Sequence, residues 1–274
     1  MATAKVKKMK RHYLPFEKPL KDLDFEIEKL TTSESDSKQL KDLIAERENL
    51  EKEIFTDLSP WETVQLARHP NRPYTLDYIN AWCDNFTELH GDKAFSDDNA
   101  VVAGIGIIDK VKVAIIGQQK GRNTKDNIFR NFGMMKPEGY RKALRVMKLA
   151  EKFKLPIITL IDTPGADPGI GAEERGQGYA IANNLFEMAS IKTQILSIVI
   201  GEGASGGALG IGLCDKMIML ENTWFSVISP EGCASILWKD SSKAPEAAKS
   251  LKLTPKDLME HDICNMIVLS LIHI

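Results

Sequence analysis

The chain has few cysteines, no long apolar run and almost no net charge. Its four cysteines lie in 274 residues without a C-x-x-C pair, which argues against a zinc ribbon or a disulfide framework and predicts a reducing, cytoplasmic location. The longest apolar stretches have the length of a strand, so no membrane-spanning helix is predicted. A net charge of −2 gives no general case for nucleic-acid binding, and the five histidines show no metal-ligand spacing.

The N-terminal part of the chain differs from the rest. Residues 1–58 are predicted to form a basic arm, without the apolar region of a secretory signal, and a helical hairpin with one apolar face. Residues 59–268 are predicted to form the main domain. We expect the apolar stripe of the hairpin to pack against that domain or against another chain. The stripe comprises Leu20, Leu23, Ile27, Leu30, Leu40, Leu43, Leu50 and Ile54.

The main domain repeats a unit of two strands and a helix, which predicts an α/β domain with a layered, superhelical core. Asp109 and Lys110 are expected to form the turn of a strand hairpin. Helices are predicted at 76–86, 137–153 and 172–189, with a short one that begins at the glycines after the strand at 195–200, and three more between 230 and 260. Strands are predicted at 101–108, 111–117, 156–161, 195–200, 216–220 and 224–228.

The most informative string, LSIVIGEGASGGALGIGL, spans residues 196–213. An apolar strand runs into glycines that begin a short helix, with Gly206 and Gly207 in its first turn. Backbone N–H groups in a first turn have no intrahelical acceptor, and the helix dipole adds positive potential there. Because glycine has no Cβ, a ligand can lie directly against the backbone. The string therefore predicts an oxyanion hole made of the Gly206 and Gly207 N–H groups.

The same string permits three other interpretations. Residues 201–206 fit the dinucleotide motif G-x-G-x-x-G, although at least four predicted strands precede them and the following helix is short for a Rossmann crossover. Residues 203–207 fit the nucleophile elbow G-x-S-x-G, with Ser205 as the nucleophile. Its partners would be Asp240 or Asp257 and then His261. In the third interpretation, the glycines only allow a helix to pack closely on a strand.

Two further loops supply candidate binding groups. The sequence DTPG at 162–165 matches the D-x-x-G of GTPases, but no P-loop precedes it. Since this loop follows a strand adjacent to the one before Gly206, the Gly165 and Ala166 amides are predicted to face the same cavity. The polar loop after residue 117 is expected either to be solvated or to bind a phosphate or carboxylate. Its candidate residues are Lys120, Arg122 and Lys125.

Several long strings in a fixed order carry a family resemblance. They include GQQKGRNTKDNIFRNFGM, DTPGADPGIGAEERGQG, IGEGASGGALGIG and SVISPEGCASILW, and the N-terminal FEKPLKDLDFEIEKL also fits. Over almost its whole length the chain resembles the α subunits of bacterial acetyl-coenzyme A carboxylase carboxyltransferases. The resemblance implies a crotonase-like fold, the ββα superhelix of the ClpP/crotonase class, preceded by the helical hairpin.

The resemblance also implies a reaction and its partners. With a β subunit, expected in an α2β2 assembly, the family moves a carboxyl group from carboxybiotin on the biotin carboxyl carrier protein to acetyl-coenzyme A. The product is malonyl-coenzyme A, a precursor of fatty acids. No cofactor is expected to be bound covalently here. The zinc ribbon is expected on the β subunit, and ATP is expected to be consumed by the biotin carboxylase subunit rather than by this chain.

The implied chemistry requires donors for charged oxygens rather than a nucleophile. Carboxybiotin releases carbon dioxide, the ureido anion takes a proton from the acetyl methyl group, and the enolate attacks the carbon dioxide. By resemblance, Gly206 and Gly207 serve the biotin-side oxygen, Gly165 and Ala166 are secondary candidates, and the enolate hole lies on the β subunit. Lys120 and Arg122 are candidate substrate-binding residues.

The sequence departs from the family in three places. Asp167 stands where a tyrosine is usual, and an acidic side chain beside an anion site is unfavourable. Gly178 and Tyr179 stand where serine and glutamate are usual. Family chains continue beyond the predicted strand at 266–268, whereas residues 269–274 here read LSLIHI, so these are expected to be a truncated or non-native tail.

The alternative function is that of a stand-alone crotonase-like hydratase or isomerase acting on an acyl-coenzyme A. Such an enzyme needs a carboxylate acid or base near the oxyanion hole. Its candidates are Glu173, Glu174 and Glu231. A scaffold without activity is a third possibility.

Overall fold

A computed structural model of the protein describes residues 12–32 and 37–269. The predicted basic arm up to residue 11 and all but the first residue of the predicted tail lie outside the described residues. None of the described helices is long and apolar enough to span a membrane.

The predicted helical hairpin is formed by α1 (Lys18–Thr32) and α2 (Ser37–Thr56). Its helices are joined by an ion pair of 2.7 Å between Arg47 Nε and Asp24 Oδ1, and the Phe16 and Phe55 rings meet edge to face. Leu20 is fully buried, whereas the other members of the apolar stripe are half-buried. At the base of the hairpin, the His12 carbonyl oxygen lies 3.1 Å from His69 Nε2. The stripe therefore keeps apolar surface that a partner can cover.

Deleting residues 1–57 is expected to leave the sheet folded, because its strands pair only with one another. We expect the truncated chain to melt at a lower temperature and to bind a partner subunit more weakly, since it loses the His12 contact and the apolar stripe. Thermal unfolding and co-purification measure these two effects. Unchanged melting and unchanged binding would show that the hairpin is a loose appendage.

The segment that follows the hairpin corrects one predicted helix. Helix α3 (Pro60–Ala67) begins with a capping box between Ser59 and Glu62. The helix predicted at 76–86 is shorter, because α4 (Thr75–Trp82) ends before Cys83, which is extended. Residues Asn85–Glu88 form strand β1 instead and pair antiparallel with the next strand. This pairing is a tertiary contact that overrides the local helical pattern.

In the part of the chain that the structure describes, eight strands form one mixed sheet. Its order is β1-β2-β3-β4-β5-β6-β8, with β7 paired to the end of β5 beside β6. The predicted turn at Asp109 and Lys110 is confirmed, and both residues have positive φ as a type I′ turn requires. The other strands are β2 (Val101–Ile108), β3 (Val111–Gln118), β4 (Ile157–Thr163), β5 (Ile195–Ala204), β6 (Lys216–Leu220), β7 (Trp224–Ser226) and β8 (Met266–Val268).

One face of the sheet is packed by helices around a core that includes Val146, Met147 and Ile211. The helix predicted at 172–189 is divided in two, because Gly176 has a φ of 80° and interrupts it. The remaining helices are α5 (Thr124–Phe129), α6 (Pro137–Phe153), α7 (Ile170–Glu174), α8 (Gln177–Met188), α9 (Ser205–Gly212), α10 (Pro230–Leu237), α11 (Ala244–Leu251) and α12 (Pro255–Glu260).

The end of β5 determines where the glycine helix begins. The strand predicted to end at residue 200 continues to Ala204, because Gly203 pairs with Thr163 on one side and with Phe225 on the other. Strands β4 and β5 are parallel, so their carboxyl ends lie at the same edge of the sheet. The loop after Thr163 and the first turn of α9 therefore come together.

Candidate active site

The first turn of α9 follows β5 without a loop. Ser205 has a φ of 57°, a left-handed conformation that turns the chain sharply from strand to helix. The N-cap, Ala204, has no capping side chain. Gly206 and Gly207 thus lie in the first turn, as predicted, where N–H groups lack an intrahelical acceptor.

Gly207 lies against the loop that follows β4. A Cβ added at Gly207 would be 2.2 Å from the Gly165 carbonyl carbon and 2.5 Å from the Ala166 nitrogen. A Cβ at Gly206, by contrast, would meet only Ile181, at 3.6 Å. The two glycines therefore differ: Gly207 is required for close contact between two backbone segments, whereas a methyl group at Gly206 would make an ordinary side-chain contact.

Thr163 orders the loop that carries the secondary candidates. Its hydroxyl lies 2.7 Å from the Gly133 and Gly165 carbonyl oxygens and accepts the Gly165 N–H at 3.2 Å. Among residues 12–32 and 37–269, none accepts a hydrogen bond from the Ala166 N–H. Of the two, Ala166 is thus the residue with a donor left for a ligand.

Gln118 is buried between the loop after β4 and the first turn of α9. It is not among the site residues predicted from the sequence. Its Nε2 donates to the Gly207 carbonyl oxygen at 2.8 Å, and its Oε1 accepts the Asp162 N–H at 3.1 Å. The Tyr140 hydroxyl donates to the same Gly207 oxygen at 3.3 Å. A glutamine directly after the apolar run at 113–117 was the available signal, because a buried amide needs partners.

Lys120 lies in a buried ion network beneath the site. Its ammonium is 2.7 Å from Asp162 Oδ1 and 2.8 Å from Glu202 Oε1. Arg68 Nε lies 2.6 Å from Glu202 Oε2 and its other nitrogens bind Glu231. Burial alone would raise the pKa of Glu202, but the nearby Lys120 and Arg68 charges hold it below its ordinary value. The Lys120 charge is thus neutralised within the protein.

Arg122 also binds groups of its own chain. Its guanidinium donates to Asp77 and to the Arg72 carbonyl oxygen, the latter at 2.8 Å. It lies over the Tyr74 ring, 4.1 Å from the centroid. The structure therefore places Arg122 against the segment before α4, and these contacts hold it there rather than at Gly207.

The departures from the family lie at the rim of the site. Asp167 Oδ1 accepts the Gly169 N–H at 2.8 Å, and its Oδ2 accepts Asn131 Nδ2 at 3.2 Å. One carboxylate oxygen of Asp167 thus accepts a hydrogen bond from its own loop, and the other accepts one from Asn131 in a neighbouring segment. Tyr179 is 76% exposed on α8, next to the exposed Gly178.

The alternative catalytic groups are not brought together. Ser205 has the backbone of a nucleophile elbow, but its described hydrogen-bond partners include no base, and Asp257 instead caps α12 through Thr254. Asp240 likewise binds the Ser242 N–H. These contacts give no support to the alternative interpretation with Ser205, an aspartate and His261. Within the described part of the chain, no group of three or more metal-ligating side chains is present.

A family model described as acetyl co-enzyme A carboxylase carboxyltransferase-like matches residues 13–272. The chain belongs to this carboxyltransferase family. The acetyl-coenzyme A carboxylase carboxyl transferase subunit alpha of Flavobacterium johnsoniae is 55% identical over 262 residues, covering 93% of this chain and 83% of the relative. The subunit of the same name from Xanthomonas campestris pv. campestris is 57% identical over 258 residues, covering 91% of this chain and 80% of the relative.

Solved structures agree on the fold of this carboxyltransferase. The transcarboxylase 12S hexamer core superposes with a TM-score of 0.62 at 17% identity, covering 72% of this chain and 38% of that one. The β subunit of P. aeruginosa geranyl-CoA carboxylase gives 0.56 at 19% identity, covering 73% and 39%. The predicted family, the crotonase-like fold and the carboxyltransferase class are confirmed.

Proposed function

We propose that this chain works with a zinc-ribbon-bearing β subunit, in an α2β2 assembly, to move a carboxyl group from carboxybiotin to acetyl-coenzyme A. Carboxybiotin is supplied on the biotin carboxyl carrier protein and is regenerated by a biotin carboxylase. The named α-subunit relatives support this assignment. Four free cysteines support a reducing cytoplasm as the location. The single observation that carries the proposal is the contact of Gly207 with the Gly165–Ala166 peptide at the start of α9.

The donor set fits a ureido oxygen that gains negative charge. At Gly206 the nearest side chain, Ile181, would lie 3.6 Å from an added Cβ, an ordinary contact distance, so the backbone at this first-turn residue is not crowded. Ala166 adds a donor from the facing loop. Carboxybiotin supplies the carboxyl group, and the chain binds and orients its oxygen through these N–H groups. Removing one such donor typically costs about 2.7–4 kcal/mol of transition-state stabilisation.

This chain supplies the N–H donors for the biotin-side oxygen but not those for the enolate oxygen. Among the described residues, no carboxylate or histidine side chain hydrogen-bonds to Gly206 or Gly207, so no such side chain occupies these donors. The donors for the enolate oxygen are assigned to the β subunit. We therefore place the active site across the interface between the subunits.

The structure disfavours the hydratase alternative at its candidate residues. Both carboxylate oxygens of Glu231 bind Arg68, while Glu173 and Glu174 lie exposed on α7. A hydratase acid or base has to lie within hydrogen-bond reach of its substrate. Nothing in this geometry directs one of these carboxylates to α9.

The test is malonyl-coenzyme A formation from acetyl-coenzyme A and carboxybiotin, with and without the β subunit. Transfer is expected only when both subunits are present, and Ser205→Ala should keep most of it, since no serine nucleophile is used. Hydration of enoyl-coenzyme A by the isolated chain would overturn the proposal. So would a loss beyond about a thousandfold in Ser205→Ala, which is typical of a removed covalent nucleophile.

A further inference from the structure

The buried Gln118 side chain joins the loop after β4 to the first turn of α9, the two segments that carry the N–H donors. It has no role in the proposed transfer step itself. Its side chain is fully buried at the carboxyl end of β3. The neighbouring β4 carries the loop with Ala166, and β5 beyond it leads into α9. Gln118 thus connects a strand outside the site to both parts of it.

The partners of the amide fix its orientation. The Asp162 N–H is a donor and has to face the amide oxygen of Gln118. The Gly207 carbonyl is an acceptor and has to face the amide nitrogen. The Met135 sulfur lies 3.6 Å from the same nitrogen and accepts its second hydrogen. If the amide were rotated by 180°, its nitrogen would face the Asp162 N–H and its oxygen would face the Gly207 carbonyl. The hydrogen bonds therefore hold the side chain in one orientation.

We propose that Gln118 is a positioning residue for carboxyl transfer: it fixes Gly207 relative to the loop after β4 and so sets the spacing of the N–H donors. This inference rests on the proposed function. Gly207 touches the Gly165–Ala166 peptide without an intervening side chain. A shift of α9 along that contact would move its N–H groups with it, and polar networks that are fully satisfied resist such shifts.

Tyr140 gives the same carbonyl a second donor, but a weaker one. Its hydroxyl is 3.3 Å from the Gly207 oxygen, compared with 2.8 Å for the glutamine nitrogen. Tyr140 lies on α6 and contacts α9 at Gly210 as well. We therefore expect the phenol to support the helix as a whole, and Gln118 to set the position of its first turn.

The experiment compares Gln118→Met with Gln119→Met, both assembled with the β subunit. Gln119 is also buried, and its side chain also bonds two backbone groups, the Leu76 N–H at 2.9 Å and the Lys120 carbonyl at 2.6 Å, neither of which belongs to α9. We expect Gln118→Met to lower kcat about 100-fold with the KM for acetyl-coenzyme A within about threefold. Gln119→Met should keep kcat even where both variants lose similar thermal stability.

Gln118→Glu supplies a readout that a purely structural role would not change. When protonated, a glutamic acid at this position can accept the Asp162 N–H and donate to the Gly207 carbonyl, whereas the carboxylate repels that carbonyl. The titratable groups around the position are Asp162 on β4, Tyr140 on α6 and Lys120 two residues further along the chain. We expect the ratio of variant to wild-type kcat to fall as the pH rises.

The outcomes separate this inference from the proposed function. If the wild-type complex forms no malonyl-coenzyme A, the proposed function fails. If the wild-type complex is active and Gln118→Met keeps its kcat, the positioning role fails. A kcat ratio for Gln118→Glu that does not change with pH would also overturn it, and this measurement remains available if the methionine variant does not fold.

Discussion

Gly207→Ala is expected to lower the kcat of carboxyl transfer by about 100-fold or more. The added Cβ would lie 2.2 Å from the Gly165 carbonyl carbon, where no side chain can give way. Either α9 or the loop after β4 must move, and both carry donors. Crowding of this kind also destabilises a fold by about 1–3 kcal/mol. Activity is measured with the β subunit present, and stability by thermal unfolding.

Two matched glycine variants make this result specific. Gly206→Ala places its Cβ 3.6 Å from Ile181, an ordinary contact, so this variant should melt as the wild type does. Gly178→Ala meets nothing within 4 Å on the exposed face of α8 and should keep both stability and turnover. Normal turnover by Gly207→Ala would show that the start of α9 is not the oxyanion site.

The structure changes the reason for this expectation. From the sequence, a side chain at residue 207 is expected to block an incoming oxygen while the fold stays intact. The structure shows that the side chain would meet the protein's own backbone first. Spacing along a sequence shows that two glycines are adjacent, but it does not show that only one of them touches another loop.

Elements with strong local signals could be predicted. The hairpin turn at Asp109 and Lys110 and the amphipathic α6 both depend on residues within a few positions of each other. Such interactions operate whatever the rest of the chain does. Helix α6 occupies the predicted range without change.

Elements that depend on distant partners could not be predicted. Strand β1 has four residues and exists through its pairing with β2. The strand β5 extends beyond its predicted end because Gly203 has neighbours on both sides. The break at Gly176 was visible as a glycine, but only the three-dimensional structure shows that its φ is positive.

The candidate site was predicted in its backbone and missed in its supporting side chains. The loops at 165–166 and 206–207 come together because parallel strands end at the same edge of a sheet. The groups that support them are far apart in sequence: Arg68 and Glu202 are separated by 134 positions. A glutamate within a glycine-rich strand end indicates a buried charge that needs a cation. The sequence does not say which cation it is.

Lys120→Met is expected to be the most destabilising single change in the ion network. The ammonium lies between Asp162 and Glu202, whose side chains are 1% and 6% exposed. Methionine fills a similar volume but leaves both carboxylates without this cation. Breaking a buried pair in this way costs about 3–5 kcal/mol, which for a chain of this size lowers the melting temperature by roughly 10 °C.

Lys243→Met is the matched control, because the Lys243–Glu246 pair is exposed on the surface. Ion pairs of that kind are screened by water and contribute little to stability. We expect this variant to melt at the wild-type temperature. A similar loss in both variants would show that the effect of Lys120→Met comes from removing a lysine in general, not from the buried network.

The pH dependence of the Lys120→Met defect identifies its cause. In the wild type, Lys120 and Arg68 hold the pKa of Glu202 below its ordinary value despite burial. The stability that Glu202 contributes is therefore present above its ordinary pKa and is lost as the pH falls through the lowered value. Without Lys120, Glu202 loses one of the two charges that oppose the effect of burial. Its pKa should therefore rise relative to the wild type, and its protonation should lessen the destabilisation of the variant as the pH falls. The difference in melting temperature between wild type and variant should thus be large at pH 7.5 and smaller near pH 5.

A variant that melts normally but shows a raised KM would contradict this prediction and assign Lys120 to substrate binding.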